Sequence, residues 1–305
     1  MHEVTTGTAD ADNWRVTPIT ATFGAELDGA KVTDPDAADE LAALLAEHLV
    51  LVLRGRHLTP AEHVALANRL GRPTPAHPVV PGLDGYPEIL VLDGAAGGRN
   101  ARWHTDVTFM ARPPAASILV AETVPSHGGD TLWADMRSAY EALAAPVRRL
   151  ADELVAVHRI TPLAYWGEPF DTALGRDDAM ALLQAANDVK PVAHPVVRIH
   201  PLTGRPSLFV NPGFTSHILG LSRHESDGLL TMLYNHIAQP ELSMRHRWQA
   251  GDVVVWDNQA TMHYATNDYG STDRRMRRVT LGGQEPVGPN GFVSHVLDDP
   301  LLAIR

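Results

Sequence analysis

GDVVVWDNQATMHYA, residues 251–265, begins at a glycine, runs through Val253, Val254, Val255 and Trp256, turns over a polar Asp-Asn-Gln and resumes towards a histidine. A short, strongly apolar run bounded by turn residues reads as a strand. The same punctuation recurs on either side, in EILVLD (88–93), WHTDVTF (103–109), AASILVAE (115–122), GDTLWAD (129–135), LVAVHRI (154–160), HPVVRIH (194–200), PSLFVN (206–211), MRHRW (244–248) and RRVTLGG (277–283). Helical patterns intrude only at about 137–153, 177–186 and 222–238. Many short strands with Pro and Gly between them predict a mainly β chain, a sandwich or jelly roll with flanking helices, and not alternating β-α units.

The N-terminal part differs. DAADELAALLAEH predicts a helix from Asp36 to about His48, with Asp34 as cap and apolar positions at 41, 44, 45 and 49. LVLVLRG (49–55) follows as a strand. TPAEHVALANRLG then predicts a second helix, capped by Thr59, with Pro60 at its first position and Gly71 beyond its end. Residues 72–87 read as a loop and residues 1–12 as a frayed tail. No linker divides 13–305, so one domain is expected. The stretch 161–193 lacks strand pattern and reads as a lid over a site at the barrel mouth.

Lys and Arg number 25 against 36 Asp and Glu, a formal charge of −11, which argues against nucleic acid or an anionic membrane as a partner. A small organic anion stays possible where arginines cluster, as in DRRMRR (273–278). Cysteine is absent, so disulfides and thiolate chemistry are excluded. The N-terminus lacks the apolar core of a signal peptide, and no run reaches the length of a membrane span, so a cytoplasmic protein is expected.

Read as a strand, WHTDVTF puts His104 and Asp106 on one face. Such a pair, turned inward, must be hydrogen-bonded or bound to something. With His263 it makes two histidines and a carboxylate, the donor set of non-haem Fe(II) oxygenases. A zinc hydrolase with one bound water can use the same three. The arginines sharpen the first reading, and oxygen-dependent succinate formation by the iron-loaded protein separates it from the second. Strand alternation places Arg274 and Arg278 on one face, and an inward guanidinium requires an oxyanion partner. Two of them imply two anionic groups: the distal carboxylate of 2-oxoglutarate and the head of the primary substrate. Arg275 and Arg277 are expected to point outward into solvent. His48, His57, His63, His217, His224 and His236 are expected at the surface, and His158 and His194 are given no chemistry.

WHTDVTF, GGDTLWAD (128–135), HPVVRIHPLTGRPSLFVNPGFT (194–215) and GDVVVWDNQATMHYA with its trailing arginines together resemble the taurine dioxygenase family over roughly residues 15–285. The resemblance implies a double-stranded β-helix, or jelly roll, and an Fe(II)- and 2-oxoglutarate-dependent oxygenase using O2. It implies that His104, Asp106 and His263 bind iron, and that Thr131 and Arg274 hold 2-oxoglutarate. It places His77, Val80, Asn100, Phe214 and Arg278 where the family contacts its substrate. Val80 stands in place of a tyrosine, and the region near Leu163 in place of a serine. These departures favour a longer or more apolar molecule with an anionic head: an alkylsulfonate or alkyl sulfate ester, cleaved to sulfite or sulfate. The alternative is a carboxylic acid, such as an aryloxyalkanoate or an amino-acid-derived metabolite. Relatives commonly self-associate, so a homo-oligomer is expected.

Overall fold

A computed structural model of the chain describes residues 14–29, 37–78, 80–94, 101–160, 184 and 187–298. The tail at 1–12, Asp34, Asn100 and Leu163 lie outside the described residues. So do the predicted helix 177–186 and the lid stretch 161–193, apart from 184 and 187–193.

The described residues are mainly β, with five α-helices and several sheets. The largest sheet has seven strands in the order Arg15–Pro18, Ala25–Asp28, Val50–Leu53, Val253–Asp257, Ala116–Thr123, Arg275–Leu281 and Leu90–Asp93. Val253–Asp257 sits mid-sheet, antiparallel to both neighbours, with Val254 opposite Val52 and Leu119. All five of its residues are buried, because both faces of the sheet are covered.

Alternation along these strands separates two cores. Leu51, Leu53, Ile118, Val120, Val253, Val255 and Val279 face outward onto the helices Ala37–His48 and Pro60–Leu70. Val50, Val52, Leu119, Val254, Trp256 and Met276 face inward, onto Trp133, Met244 and Trp248. Trp133 and Met244 belong to a three-stranded sheet, ordered Ser243–His246, Thr131–Asp135 and Thr261–Ala265. The opposite face of that sheet, through Ala134 and Met262, packs on the helices Met136–Ala142 and Arg223–Ile237. Helices thus cover the outside and two sheets enclose an inner layer of aromatic and aliphatic side chains.

Helix starts follow local chemistry. Thr59 Oγ1 accepts from the Glu62 amide at 3.2 Å, and Glu62 accepts in return from the Thr59 amide at 2.8 Å, a reciprocal capping box. Ser222 and Glu225 repeat it for Arg223–Ile237. The single helix expected over 137–153 is two, Met136–Ala142 and Ala145–Glu153. Pro146 is the reason: it has no amide proton to continue the first helix, and starts the second.

HPVVRIH forms two strands, Val192–Pro195 and Val197–Ile199. WHTDVTF is not a strand: His104 makes an isolated bridge to His263, and the chain then turns, with Val107 at φ 56. Arg277 does point outward, yet it is buried, because the helix Pro60–Leu70 lies over that face; it bonds the Leu58 carbonyl and pairs with Glu122. His63, expected at the surface, lies on the buried face of that same helix and donates to the Ile118 carbonyl at 3.2 Å. His217 is buried as well. No described helix is long and apolar enough to cross a membrane.

Candidate metal centre

The bridge between His104 and His263 creates the centre. Each backbone amide donates to the other's carbonyl, at 2.9 and 2.8 Å, which brings the two imidazole centroids to 4.1 Å. His104 Nδ1 lies 2.8 Å from the Arg102 carbonyl. A carbonyl only accepts, so Nδ1 carries the proton and Nε2 offers its lone pair inward. Asp106 completes the set although it is in no strand. Asn258 substitutes for the missing strand partner: its Oδ1 accepts the Asp106 amide at 2.9 Å, and its Nδ2 donates to the Asp106 and Pro114 carbonyls, both at 3.0 Å.

His104 Nε2 and His263 Nε2 lie 3.8 and 3.9 Å from Asp106 Oδ1, and the three candidate ligand atoms are all within 4.8 Å of one another. These separations are too long for hydrogen bonds, and all three residues are buried. Polar atoms aimed at one point without bonding each other fit a shared cation. Burial pushes both histidines below the usual imidazole range, so each is neutral at pH 7. Burial opposes charge on Asp106 too, but the Arg278 guanidinium beside it outweighs this, and the carboxyl is held down to about 2. Ser117 adds a 2.8 Å hydrogen bond to Oδ2. Two neutral nitrogens and one carboxylate suit a divalent ion of the iron type.

Arg278 stands on the inner face of the large sheet, opposite Leu119, and its Nη1 donates to Asp106 Oδ1. Its Nε and Nη2 are buried and have no hydrogen-bond partner among the described residues. They form the free edge of the guanidinium fork, an arrangement that receives two oxygens of one anion. The walls beside it are apolar or neutral. Phe214 lies edge-on to His104 at 6.2 Å between centroids and to Phe109 at 5.0 Å. His77, buried 6.1 Å from Phe109, is held down to about 3 by burial and by the nearby Arg278, so it too is neutral. Val80 is half-buried on the same loop as His77.

A second group lies along the three-stranded sheet. His263 is directly opposite Trp133, and Thr131 stands two residues from Trp133 on the same face. At roughly 3.4 Å per residue, that sets Thr131 about 7 Å from the His263 row. Its hydroxyl accepts from Trp248 Nε1 at 2.9 Å. Arg274 is buried and donates from Nε to the Gly129 carbonyl at 3.2 Å. Gly129 is at φ 70, a backbone conformation that favours glycine, and a Cβ there would stand in tight contact, 3.2 Å from Arg274 Cδ.

The structure therefore gathers His104, Asp106, His263, Arg278, Phe214 and His77 around one point, with Thr131 and Arg274 on neighbouring elements. Sequence reasoning missed Ser117, Asn258 and Trp248. Asn258 sits in the polar turn of the opening stretch, but nothing local marks it as the partner of Asp106.

A family model described as taurine catabolism dioxygenase TauD, TfdA family matches residues 15–280. An alpha-ketoglutarate-dependent sulfate ester dioxygenase from Pseudomonas putida is 43% identical over 289 residues, covering 92% of this chain and 93% of the relative. An alkylsulfatase from Acinetobacter baylyi is 38% identical, covering 90% and 86%. The crystal structure of a taurine dioxygenase from Burkholderia xenovorans superposes with a TM-score of 0.78 at 36% identity, covering 96% of this chain and 99% of that one.

Proposed function

The chain belongs to the TauD, TfdA family of taurine catabolism dioxygenases and is an Fe(II)- and 2-oxoglutarate-dependent dioxygenase; on that premise we propose that its substrate is an alkyl sulfate ester, cleaved to an aldehyde and sulfate. We propose equally that residues 13–305 form one catalytic domain on a double-stranded β-helix. In this reading His104, Asp106 and His263 hold the iron, Thr131 and Arg274 hold 2-oxoglutarate, and Arg278 with His77 and Phe214 receives the substrate.

The observation that carries the substrate reading is the edge of Arg278 that has no hydrogen-bond partner among the described residues, buried beside the metal carboxylate. Sulfate esters present several equivalent oxygens to such a fork, and desolvation strengthens the pairing. The neutral His77 offers a further polar contact without a second charge. Phe214, Phe109, Val107 and Ile160 form a buried apolar cluster that suits an alkyl chain. The named activities of the two relatives above point the same way.

An iron ion held by the three ligands, with 2-oxoglutarate and O2, supplies the oxidation, in which the keto acid loses CO2 to give succinate and a substrate C–H becomes C–OH. The chain's own residues orient and enclose. Arg278 fixes the sulfate, which sets the adjoining carbon next to the centre. Once that carbon carries a hydroxyl, its C–O bond to sulfate breaks as the hydroxyl proton leaves. The products are an aldehyde and sulfate.

The test is a substrate panel of octyl sulfate, octanesulfonate, taurine and an aryloxypropionate, each with the iron-loaded protein, 2-oxoglutarate and air. Succinate and sulfate released in equal amounts from octyl sulfate are expected. Succinate formed only with the sulfonates or the aryloxypropionate overturns the proposal.

A further inference from the structure

The Thr131 hydroxyl has one proton and must face in a definite direction to donate it. Two facts of the structure set that direction. Trp248 Nε1 lies 2.9 Å from Thr131 Oγ1, and both residues are buried. An indole N–H can only donate, so Thr131 is the acceptor in this contact, whatever else surrounds it. The hydroxyl proton cannot then lie along the same line, and among the described residues no hydrogen bond takes it. A buried O–H without an acceptor is costly, and it faces the sheet surface that also carries His263.

Trp248 is itself held in place. It follows the strand Ser243–His246, whose last residue pairs directly with Thr131. The His246 ring meets the Trp248 indole edge-to-face, 4.6 Å between centroids at 89°. His246 Nε2 lies 3.2 Å from Asp252, which also accepts the Gln249 amide at 2.9 Å and ion-pairs with Arg54 at 2.7 Å. The turn that carries the indole is thus anchored on both sides. Trp133, at 6.4 Å, closes the remaining face.

We propose that Trp248 is a positioning residue for the keto-acid co-substrate: its N–H occupies one acceptor site of the Thr131 hydroxyl and so directs that hydroxyl's proton to the co-substrate carboxylate. The inference rests on the reading that Thr131 holds 2-oxoglutarate. Trp248 touches neither the co-substrate nor the reacting atoms in this scheme; it acts through Thr131. Pure packing of the indole predicts a different result, because packing does not depend on the hydroxyl.

A double-mutant cycle separates the two. The dissociation constant of 2-oxoglutarate is measured by calorimetry on the full chain loaded with Co(II), for the parent, Trp248→Phe, Thr131→Val and the double variant. Trp248→Phe and Thr131→Val are each expected to weaken binding roughly tenfold, and Trp248→Phe to add less than twofold in the Thr131→Val background. Thr131→Ser, which keeps the hydroxyl, is expected to bind within about threefold of the parent. Replacing Trp248 by 3-benzothienylalanine, which exchanges only the N–H for sulfur, serves if the phenylalanine variant does not fold. An undiminished effect of the Trp248 change in the Thr131→Val background, or none in the parent, overturns the proposal. Unchanged binding by Thr131→Val overturns the assignment of Thr131 itself, and the proposal with it.

Discussion

Asn258 grips Asp106 by both of its backbone groups, accepting the amide at 2.9 Å and donating to the carbonyl at 3.0 Å. The contact gives an irregular segment the fixity of a strand at the one residue where the centre needs a carboxylate. Asn258→Ala leaves a buried amide and two carbonyls unbonded. We expect a loss of about 2–4 kcal/mol in stability and a ten- to hundredfold weaker Co(II) affinity. Urea unfolding and metal titration check this. Metal affinity equal to the parent's would show that Asp106 is placed without Asn258.

Ser117→Ala tests the other side of the same carboxylate. It removes the 2.8 Å bond to Asp106 Oδ2 but leaves Arg278 on Oδ1. Because Arg278 contributes more than Ser117 to the low carboxyl pKa, metal affinity should fall less than tenfold. A larger fall, read by the same titration, would make Ser117 the principal restraint.

Arg278→Lys keeps the positive charge and removes the planar fork. The KM for alkyl sulfates is expected to rise at least tenfold, while 2-oxoglutarate binding, measured by calorimetry, stays within about threefold. An equal loss of both would mean that Arg278 serves the co-substrate instead of the substrate.

Acid stability follows from the buried neutral histidines. His63, His77 and His194 are each held at about 3, chiefly by burial, against 6.5 when exposed. Below pH 6.5 the unfolded chain binds protons that the folded chain refuses. The stability these residues contribute is therefore complete above pH 6.5 and is lost progressively as pH falls towards 3, by up to about 1.4 kcal/mol per pH unit for each. Asp106, with its pKa lowered from 3.8 to about 2, adds a loss confined to more acid solution. His63→Gln keeps a donor for the Ile118 carbonyl and should flatten the slope of unfolding free energy between pH 6 and 4 by about one proton. An unchanged slope in urea titrations would show that His63 is protonated in the folded state.

The sequence carries the metal triad because its parts are local signals: an H-x-D pair, and a histidine after an apolar strand and a polar turn. It also carries the inward direction of Arg278, since alternation is a property of the strand alone; Arg274 precedes the strand Arg275–Leu281, whose register shifts at its first residue. It does not show what covers a face. Arg277 was expected in solvent on correct alternation, yet the helix Pro60–Leu70 lies over it. WHTDVTF has the β-branched and aromatic composition of a strand, but only His104 finds a partner, so the chain turns at Asp106. Ser117, Asn258 and Trp248 matter through pairings of strands far apart in sequence, and no residue pattern nearby encodes those registers. The short strands Arg15–Pro18 and Ala25–Asp28 are stabilised by the edge they join, and their own residues do not announce them.

The position of Val253–Asp257 in the large sheet has a consequence for biosynthesis. It is inserted between Val50–Leu53 and Ala116–Thr123, two strands made long before it. Until the ribosome has delivered residue 257, each of those earlier segments presents an open, strongly apolar border to solvent. Nascent chains stalled ahead of Val253 should be captured by chaperones or aggregate, and completion of the molecule should be late and abrupt, with little gradual accretion along the way.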